Sequence, residues 1–422
     1  MQLYPPCARR LRGQYRTAII AVGCVIALNA HANAKTWSFH DAVRAAWTRD
    51  PAQAALHVAA QAADTEASAA RTWFPAGAII NAQYLDDHFI GSNQGYTTYQ
   101  GQISMPFWLP GQGTATERAA LADKAVARAN ADMERMAIAI QVLDIASAAR
   151  TEERRLAVLS TEYRVAGDIA ERSDHAFAVG EEARTDRDAV FAFLSDIGAQ
   201  QAQSTERLAG YRADLSRLTG SDALPDIMTI DGRFLDRQGN IQERLVVERD
   251  PRVIYADKVV RAADASLDVT RRTWMPAPSA GIQVVRQKQF EALWDTAVGV
   301  QVAMQLPSRS QHEPQLMRKV RAEADAQRDL LRARQIVGSE YSHTFARLRA
   351  SVDILNEVRS QCAALSDRQA QMTRAWRIGE TSVIEALRAH QAALSACQSH
   401  EAAEVAWHAA IARLLISIGA TP

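Results

Sequence analysis

Two short segments of the sequence place carboxylates directly after a glycine. Gly180 opens "GEEARTD" and Gly379 opens "GETSVIE", and each glycine is followed by a glutamate, with a small residue at the fourth place and a carboxylate at the seventh. This pattern predicts a tight turn whose acids lie near the positive end of the next helix. Carboxylates ringed around a constriction would favour cations, whereas acids on an open turn would only be solvated, and both interpretations stay open.

We therefore expect two helical hairpins whose tips span about residues 172–185 and about residues 372–384. The candidate functional residues of these tips are the glycines, the acids that follow them and three arginines that could pair across the tip, namely Gly180, Glu181, Glu182, Arg172, Arg374, Arg377, Gly379 and Glu380.

A pair of cysteines flanks the second turn at nearly equal distances. Cys362 lies 17 residues before Gly379 and Cys397 lies 18 residues after it, so the two stand level in an antiparallel hairpin. Both also fall on apolar seams of their helices. In an oxidising compartment this placement predicts a disulfide. The alternative is two buried thiols whose Cα separation does not suit a bond.

One further set of side chains could bind a metal ion. His400, Glu404 and His408 follow one another at intervals of four. Histidines eight residues apart are more than two turns apart, so one ion cannot easily bridge them, and we expect no metal site. The sequence also has no Ser/His/Asp constellation, Gly-rich phosphate loop or Cys-x-x-Cys motif, so we expect neither an enzyme nor a cofactor.

The net charge and the N-terminal residues indicate an exported protein rather than a nucleic-acid binder. The chain has 48 basic and 48 acidic residues, a balance that argues against a nucleic-acid binder. Residues 1–34 resemble a signal peptide, with a basic start, an apolar run at Thr17–Leu28 and a small-x-small end that places the mature start at Lys35. The alternative, a lipid on Cys24, is disfavoured because its lipobox match is poor.

The chain repeats itself with a period near 200 residues, which indicates internal duplication. The matching landmarks, first copy before second, are "RTWFP" (71–75) and "RTWMP" (272–276), Asp50-Pro51 and Asp250-Pro251, Gly180 and Gly379, and Gly220 and Gly419.

Each copy predicts the same order of elements. A helix comes first; in copy one it is capped by Ser38 and runs towards Arg71, before Pro75. Two segments with period-two alternation follow, at about 76–109 and about 277–306, and predict strand pairs. A helix of about 65 residues, or about 100 Å, comes next, and a shorter helix returns from the tip.

Four strands are too few to close a barrel, and an open strand edge is very costly in lipid. Three chains would supply twelve strands, which is a plausible barrel. The expected fold class is mainly α with a small β part: duplicated long hairpins forming a trimeric α-barrel, plus four strands per chain in a 12-stranded transmembrane β-barrel.

Taken in order and in duplicate, these motifs resemble TolC-type outer-membrane efflux proteins over the whole mature chain. The resemblance implies a homotrimer in the outer membrane of a Gram-negative bacterium, spanning the periplasm. It also implies a periplasmic adaptor and an inner-membrane pump as partners, with the tips docking on the adaptor and closing the duct at rest. The corresponding domains are a first repeat at 35–220, a linker at 221–241 and a second repeat at 242–422.

Within that expectation, four aromatic residues mark the membrane boundary where helix becomes strand: Trp73, Phe107, Trp108 and Trp274. The alternative is that these tryptophans are buried at helix ends. Two other functions also stay open: a duct for type I protein secretion, and a periplasmic coiled-coil scaffold without a barrel. The sequence does not indicate the substrate.

Overall fold

The computed structural model describes residues 37–87, 95–230, 243–289 and 291–419. The predicted signal peptide, Cys24 and residues 231–241 of the predicted linker lie outside the described residues. The elements in chain order are α1 Phe39–Arg49, α2 Pro51–Ala70, β1 Ile79–Asp86, β2 Thr97–Pro106, α3 Gln112–Ala178, α4 Arg184–Thr219, α5 Glu243–Arg249, α6 Pro251–Arg272, β3 Ser279–Lys288, β4 Asp295–Ala303, α7 Arg309–Arg377 and α8 Val383–Ser417.

The same order of two helices, two strands and two helices occurs twice along the chain. The long helices α3 and α7 have 67 and 69 residues, or about 100 Å each at 1.5 Å per residue. The helices that return from the tips, α4 and α8, have 36 and 35 residues. The chain is therefore mainly helical with a small β part.

The Asp-Pro pairs begin a helix in both copies. The Asp50 carboxylate accepts a hydrogen bond from the Ala52 amide at 2.7 Å, and the Asp250 carboxylate accepts one from Arg252 at 2.8 Å. Proline suits the first helical position because it has no N–H to satisfy there.

One sequence expectation was wrong at this place. We expected a single helix from Ser38 towards Arg71, but Asp50 is extended (φ −73°, ψ 126°) and divides it into α1 and α2. The residue before a proline is pushed out of the helical region, so the chain breaks where Asp50 can cap the new helix. Ser38 does cap α1, accepting from the Asp41 amide at 3.1 Å.

The four strands form one antiparallel sheet in the order β1-β2-β3-β4. The β2–β3 pairing joins the two copies, with Ile103 opposite Ile282 and Gly101 opposite Val284. The outer edges of β1 and β4 have no strand partner within the sheet.

The helices pack in two arrangements. Near the sheet, α2 packs on α3, α3 on α6, and α6 on α7; toward the tips, α3 packs on α4 and α8, and α7 packs on α8. A large apolar core joins α1, the middle of α3 and the C-terminal half of α8, and a second core lies between α3, α4 and α8 nearer the tips.

Among the described residues, no helix combines the length and apolarity that crossing a lipid bilayer requires.

Candidate functional sites in the sheet and at the hairpin tips

The sheet has one apolar face. Residues paired across strands point to the same side, so the register defines rows of side chains running across the sheet. The apolar face is built from three such rows: Met105, Ala280 and Val302; Ile80, Ile103, Ile282 and Val300; and Ala82, Gly101, Val284 and Val298. Most of its large side chains are exposed in the single chain.

The opposite face of the same strands is polar but uncharged along most of its length. Its rows contain mainly amides and small residues, including Asn81, Gln83, Gln100, Gln102, Ser104, Gln283 and Gln301. The alternation that the sequence predicted in β2 therefore separates two chemically different surfaces, and β3 continues it.

Three of the four predicted boundary aromatics are exposed where the helices meet the sheet. Trp73 is 88 % exposed and Trp274 is 47 % exposed, so neither is buried at a helix end in the single chain. Phe107 is also exposed and makes an edge-on contact with Phe74 at 5.5 Å. Trp108 is half-buried and donates its indole N–H to the Thr72 carbonyl at 2.9 Å.

A second aromatic group lies at the far end of the sheet, which is the end joined by residues 87–96 and 289–294. Tyr84 contacts Tyr99 with ring centroids 5.0 Å apart, and Tyr99 contacts Trp294 at 5.9 Å. We did not predict this group. Its signal was present, since Tyr99 and Phe107 are eight residues apart, or about 26 Å along a strand.

The two hairpin tips have the same backbone. Gly180 and Gly379 adopt φ values of 82° and 79°. In each tip the glycine amide and the next amide bond back to the helix: Gly180 to Phe177 and Glu181 to Ala176, Gly379 to Trp376 and Glu380 to Ala375, all at 2.9–3.0 Å. This is the Schellman ending, which needs a left-handed residue and therefore favours glycine.

The other positions of the repeated motif form the start of the helix that follows each turn. The fourth position, Ala183 or Ser382, is the residue before the helix, and the seventh, Asp186 or Glu385, is the third helical residue. In the second tip the Ser382 hydroxyl accepts from the Glu385 amide at 3.4 Å. In the first tip Ala183 occupies that place and has no side chain to cap α4.

A cleft of about 1020 Å³ lies between the two tips and brings residues of both together. Five predicted tip residues line it: Arg172, Glu181, Glu182, Arg377 and Gly379. Both carboxylate oxygens of Glu182 are buried without a hydrogen-bond partner in the part of the chain that the structure describes. Gly180, Arg374 and Glu380 lie on the exposed surface outside this lining.

The predicted arginine pairing across the tips does not occur within the single chain and stays a prediction for the assembled protein. Among the described residues, no carboxylate lies within ion-pair distance of Arg172, Arg374 or Arg377. The paired arginine is Arg187, which contacts Asp174 at 2.8 Å and lies over the rings of Phe177 and Phe191 at 4.9 and 5.4 Å. The sequence did not indicate it, because the contact joins α3 to α4 across the turn.

Cys362 and Cys397 lie opposite each other on α7 and α8. Their sulfur atoms are 1.99 Å apart and their Cα atoms 4.8 Å apart, which is a disulfide joining the second hairpin above its tip. At the equivalent place in the first hairpin, the Tyr163 ring lies over Gly198, 3.4 Å from where a Cβ would stand.

A buried polar cluster lies between the disulfide and the tip and joins three helices. His390 on α8 is 1 % exposed, and its Nδ1 bonds the Glu162 carboxylate of α3. Its Nε2 lies 2.9 Å from the Thr373 hydroxyl, and Gln369 donates to Glu162 at 3.1 Å. Because Thr373 donates its own proton to the Gln369 carbonyl, His390 must be the donor to Thr373. The sequence offered no signal for this contact between distant helices.

His400, Glu404 and His408 of α8 were the candidate metal ligands. Arg154 of α3 contacts Glu404 at 3.6 Å and the nearby Glu401 at 3.0 Å. Burial lowers the pKa of His408 from its usual value of 6.5, although a backbone hydrogen bond with Ile230 acts in the opposite direction. Nowhere in the described ranges does a group of three potential ligands gather around one point.

Known proteins resemble this chain in fold. No family model and no curated protein matches the sequence. Among solved structures, a membrane protein from Pseudomonas aeruginosa matches with a TM-score of 0.73 at 14 % identity, over 92 % of each chain. The outer membrane protein VceC of Vibrio cholerae matches with a TM-score of 0.70 at 14 % identity, over 90 % of this chain and 96 % of its own. The MtrE outer membrane channel of Neisseria gonorrhoeae, in its open state, matches with a TM-score of 0.70 at 14 % identity, over 92 % of each. These matches confirm the expected fold of the single chain, which is mainly α with long helical hairpins and one four-stranded antiparallel sheet.

Proposed function

We propose, from the fold that this chain shares with outer membrane channels, that it is the outer-membrane exit duct of a tripartite efflux system. It acts as a passive conduit in the outer membrane of a Gram-negative bacterium and spans the periplasm. An inner-membrane pump supplies the energy, and a periplasmic adaptor connects the two. The single observation that carries the proposal is a sheet with one apolar and one polar face and with two unpaired edges. This sheet lies at the end of helices about 100 Å long, at about 1.5 Å per residue.

The two faces of the sheet support a membrane wall. An apolar face suits lipid and an amide-rich face suits a water-filled lumen, which is the alternation of transmembrane barrels. The strands have 8–10 residues, close to the 9–11 that a tilted strand needs to span a bilayer. The aromatic groups at both ends of the sheet are placed like the two aromatic girdles of such barrels.

The open edges of β1 and β4 support a homotrimer. Unpaired backbone groups cannot be left in lipid, so β4 of one chain must pair with β1 of the next. Three is the smallest number of four-stranded chains that gives a barrel with a usable lumen. The edge helix α7 is largely exposed in the single chain, with Leu331 and Ile336 more than half exposed, so it also needs a neighbour.

The paired tips support a docking and closing role at the periplasmic end. The two turns lie at the same end of the chain, and Glu181, Glu182 and Arg377 all line the cleft between them. Docking of an adaptor there, and closure of the duct by Glu380 and the arginines of neighbouring chains, follow from the resemblance. In the single chain the predicted tip residues line a polar cleft or lie on the surface. This supports the interpretation of an open, solvated tip more directly than that of a ring of acids at a constriction.

The experiment that tests the function is fractionation and sizing of the full-length protein. We expect the protein in the outer-membrane fraction, with the mass of three chains in detergent and a band that shifts on heating. A monomer in the periplasmic fraction without β signal in circular dichroism would overturn the proposal and favour the scaffold alternative. Secretion of a protein substrate with a co-expressed pump would favour the type I duct instead.

We also propose that the Cys362–Cys397 disulfide forms in the mature protein and staples the second hairpin. The periplasm is oxidising, and the Cα separation of 4.8 Å suits a disulfide between the two side chains. Alkylation of the intact protein before and after reduction tests this proposal. We expect two alkylated cysteines after reduction and none before it, and free thiols in the untreated mature protein would contradict the disulfide.

A further inference from the structure

Every charged side chain of the four strands lies at the far end of the sheet, away from the helices. These residues are Asp86, Arg286, Lys288 and Asp295. Since the rest of each strand has no charge, these residues mark a boundary between an uncharged sheet and its charged far end. What the charges face depends on which side of the sheet carries each one.

The two cations lie on the apolar face. Arg286 is paired across strands with Tyr99 and Thr296, in the row beyond Val284, and Lys288 lies one row further, opposite Thr97. Both side chains are exposed. Within the described ranges, neither has a carboxylate within ion-pair distance.

The carboxylates nearby do not neutralise this pair. Asp86 shares the row of Lys288 but lies on β1, two strands away, where it accepts the Tyr84 hydroxyl at 2.6 Å. Asp295 is opposite Gln287 and therefore on the polar face. The apolar face thus ends in two exposed cations.

Aromatic rings hold the guanidinium in place. The Arg286 guanidinium carbon lies 5.0 Å from the centre of the Trp294 ring, and Trp294 in turn contacts Tyr99. A cation over a ring is positioned by the ring's negative face, and its N–H groups stay available at the edge. Guanidinium matches a phosphate with two parallel hydrogen bonds, and ammonium adds a point charge.

We propose that Arg286 and Lys288, with Tyr99 and Trp294, form a binding site for the phosphorylated sugar headgroup of a membrane glycolipid. The inference rests on the proposed function, which places the apolar face in lipid and the far end at the outer surface. Aromatic rings lie at headgroup depth in membranes and offer a flat apolar surface to a sugar, while the two cations are complementary to its phosphates. A homotrimer would have three such sites.

The experiment uses the full-length detergent-solubilised protein and native mass spectrometry with added lipid A carrying two phosphates. We expect binding of up to three lipids per trimer, and about 30-fold weaker binding by the double variant Arg286→Gln/Lys288→Gln, since each basic residue contributes about a factor of five. Enzymatically dephosphorylated lipid A should bind the wild-type and double-variant proteins equally weakly.

The matched control is Arg271→Gln, an exposed arginine at the other boundary of the sheet with no ion pair within the described residues. It should bind like the wild type. Equal binding of the two lipids by the wild type, or equal binding of phosphorylated lipid A by the wild type and the double variant, overturns the site. Full displacement by inorganic phosphate would indicate a small-anion site and also overturns the glycolipid assignment.

A heat-shifted band recorded on each sample separates this failure from failure of the proposed function. A trimer with the band and no phosphate-dependent binding overturns only the lipid site. Absence of the trimer and the band from the wild type overturns the membrane duct, and the lipid site with it.

Discussion

At the scale of single residues, the most consequential contact is the buried pair of His390 and Glu162. Each is nearly inaccessible to water, and they belong to helices from different halves of the chain. A buried ion pair adds little net stability over an apolar pair, but removing one partner leaves the other charge uncompensated. We therefore expect the pair to favour this one placement of α8 on α3.

His390→Leu should destabilise the helical part of the protein by about 3–5 kcal/mol, because Glu162 then stays buried with Gln369 as its remaining partner. The double change His390→Leu/Glu162→Leu should recover much of this loss. Thermal unfolding followed by the helical signal measures both. Arg388→Leu, which breaks the exposed pair with Glu385, is the control and should change stability by less than about 1 kcal/mol. Equal losses from all three variants would contradict the argument.

His408 makes stability depend on pH in a defined direction. Burial lowers its folded-state pKa below the usual 6.5, so the unfolded chain takes up a proton first as the pH falls. The contribution is fully present above pH 6.5 and is lost below it. His408→Gln should reduce the pH dependence of the unfolding temperature below pH 6.5. His57→Gln, on the exposed surface of α2, is the control for the substitution itself. A slope unchanged in His408→Gln would assign it to another group.

At the scale of elements, the two tips share a backbone but differ in their caps. Gly180 and Gly379 make the same turn, while Ser382 caps α8 and Ala183 leaves α4 uncapped. The first tip instead has the contact of Arg187 with Phe177 and Phe191.

Ser382→Ala should therefore loosen the start of α8, and Ala183→Ser should tighten the start of α4, each by about 0.5–1 kcal/mol. The 3.4 Å length of the Ser382 bond favours the lower end of that range. Amide hydrogen exchange at 184–187 and 383–386 measures the two effects separately. Exchange that changes in the same direction in both variants would show that capping does not control the tips.

Because the sheet has one apolar and one polar face, we expect adjacent residues of a strand to differ in whether they can be replaced by a charged residue. Val284 lies on the apolar face and Gln283, its neighbour on β3, lies on the polar face. Val284→Lys should disfavour membrane assembly by about 2–4 kcal/mol, whereas a lumen position accepts a charge. The yield of heat-shifted trimer in outer membranes measures this difference. Equal yields for Val284→Lys and Gln283→Lys would contradict the assignment of the faces.

At the scale of the whole molecule, the proposed trimer couples the sheet to the helices. Within the described residues, both the β edges and the exposed side of α7 lack partners in the single chain, so neighbouring chains must cover both. We expect trimer mass and the β signal to be lost together on heating, because neither edge is stable alone. Light scattering and circular dichroism on one sample test this. A stable monomer that keeps its β signal would separate the two.

The fold could be predicted to a large extent from particular residues. The repeated Asp-Pro and Trp-x-Pro motifs, the turn glycines and the alternating strands are local signals. Local signals can be read from neighbouring residues without knowing which distant residues are in contact. Each also constrains the backbone directly, as Gly180 does through its left-handed conformation. The break between α1 and α2 was readable from Asp50-Pro51 and was missed because the apolar pattern continues across it.

The candidate sites were predicted less completely. Trp73, Trp274 and the tip residues were found because they belong to repeated motifs. Arg187, Trp294 and His390 belong to none, and their roles come from partners such as Phe177, Tyr99 and Glu162, which lie 10, 195 and 228 positions away. The role of Arg286 likewise comes from Trp294 and Tyr99. No spacing rule links residues brought together by packing of separate helices and strands.

The duplication, the order of the elements and the chemistry of each strand could be read from the sequence, because periodicity and turn residues act over a few neighbouring positions. The register that aligns β2 with β3, the arrangement that leaves two edges open, and the contacts that bury His390 and expose Arg286 became known from the three-dimensional structure. These depend on which surfaces meet, and that choice is made by packing across the whole chain.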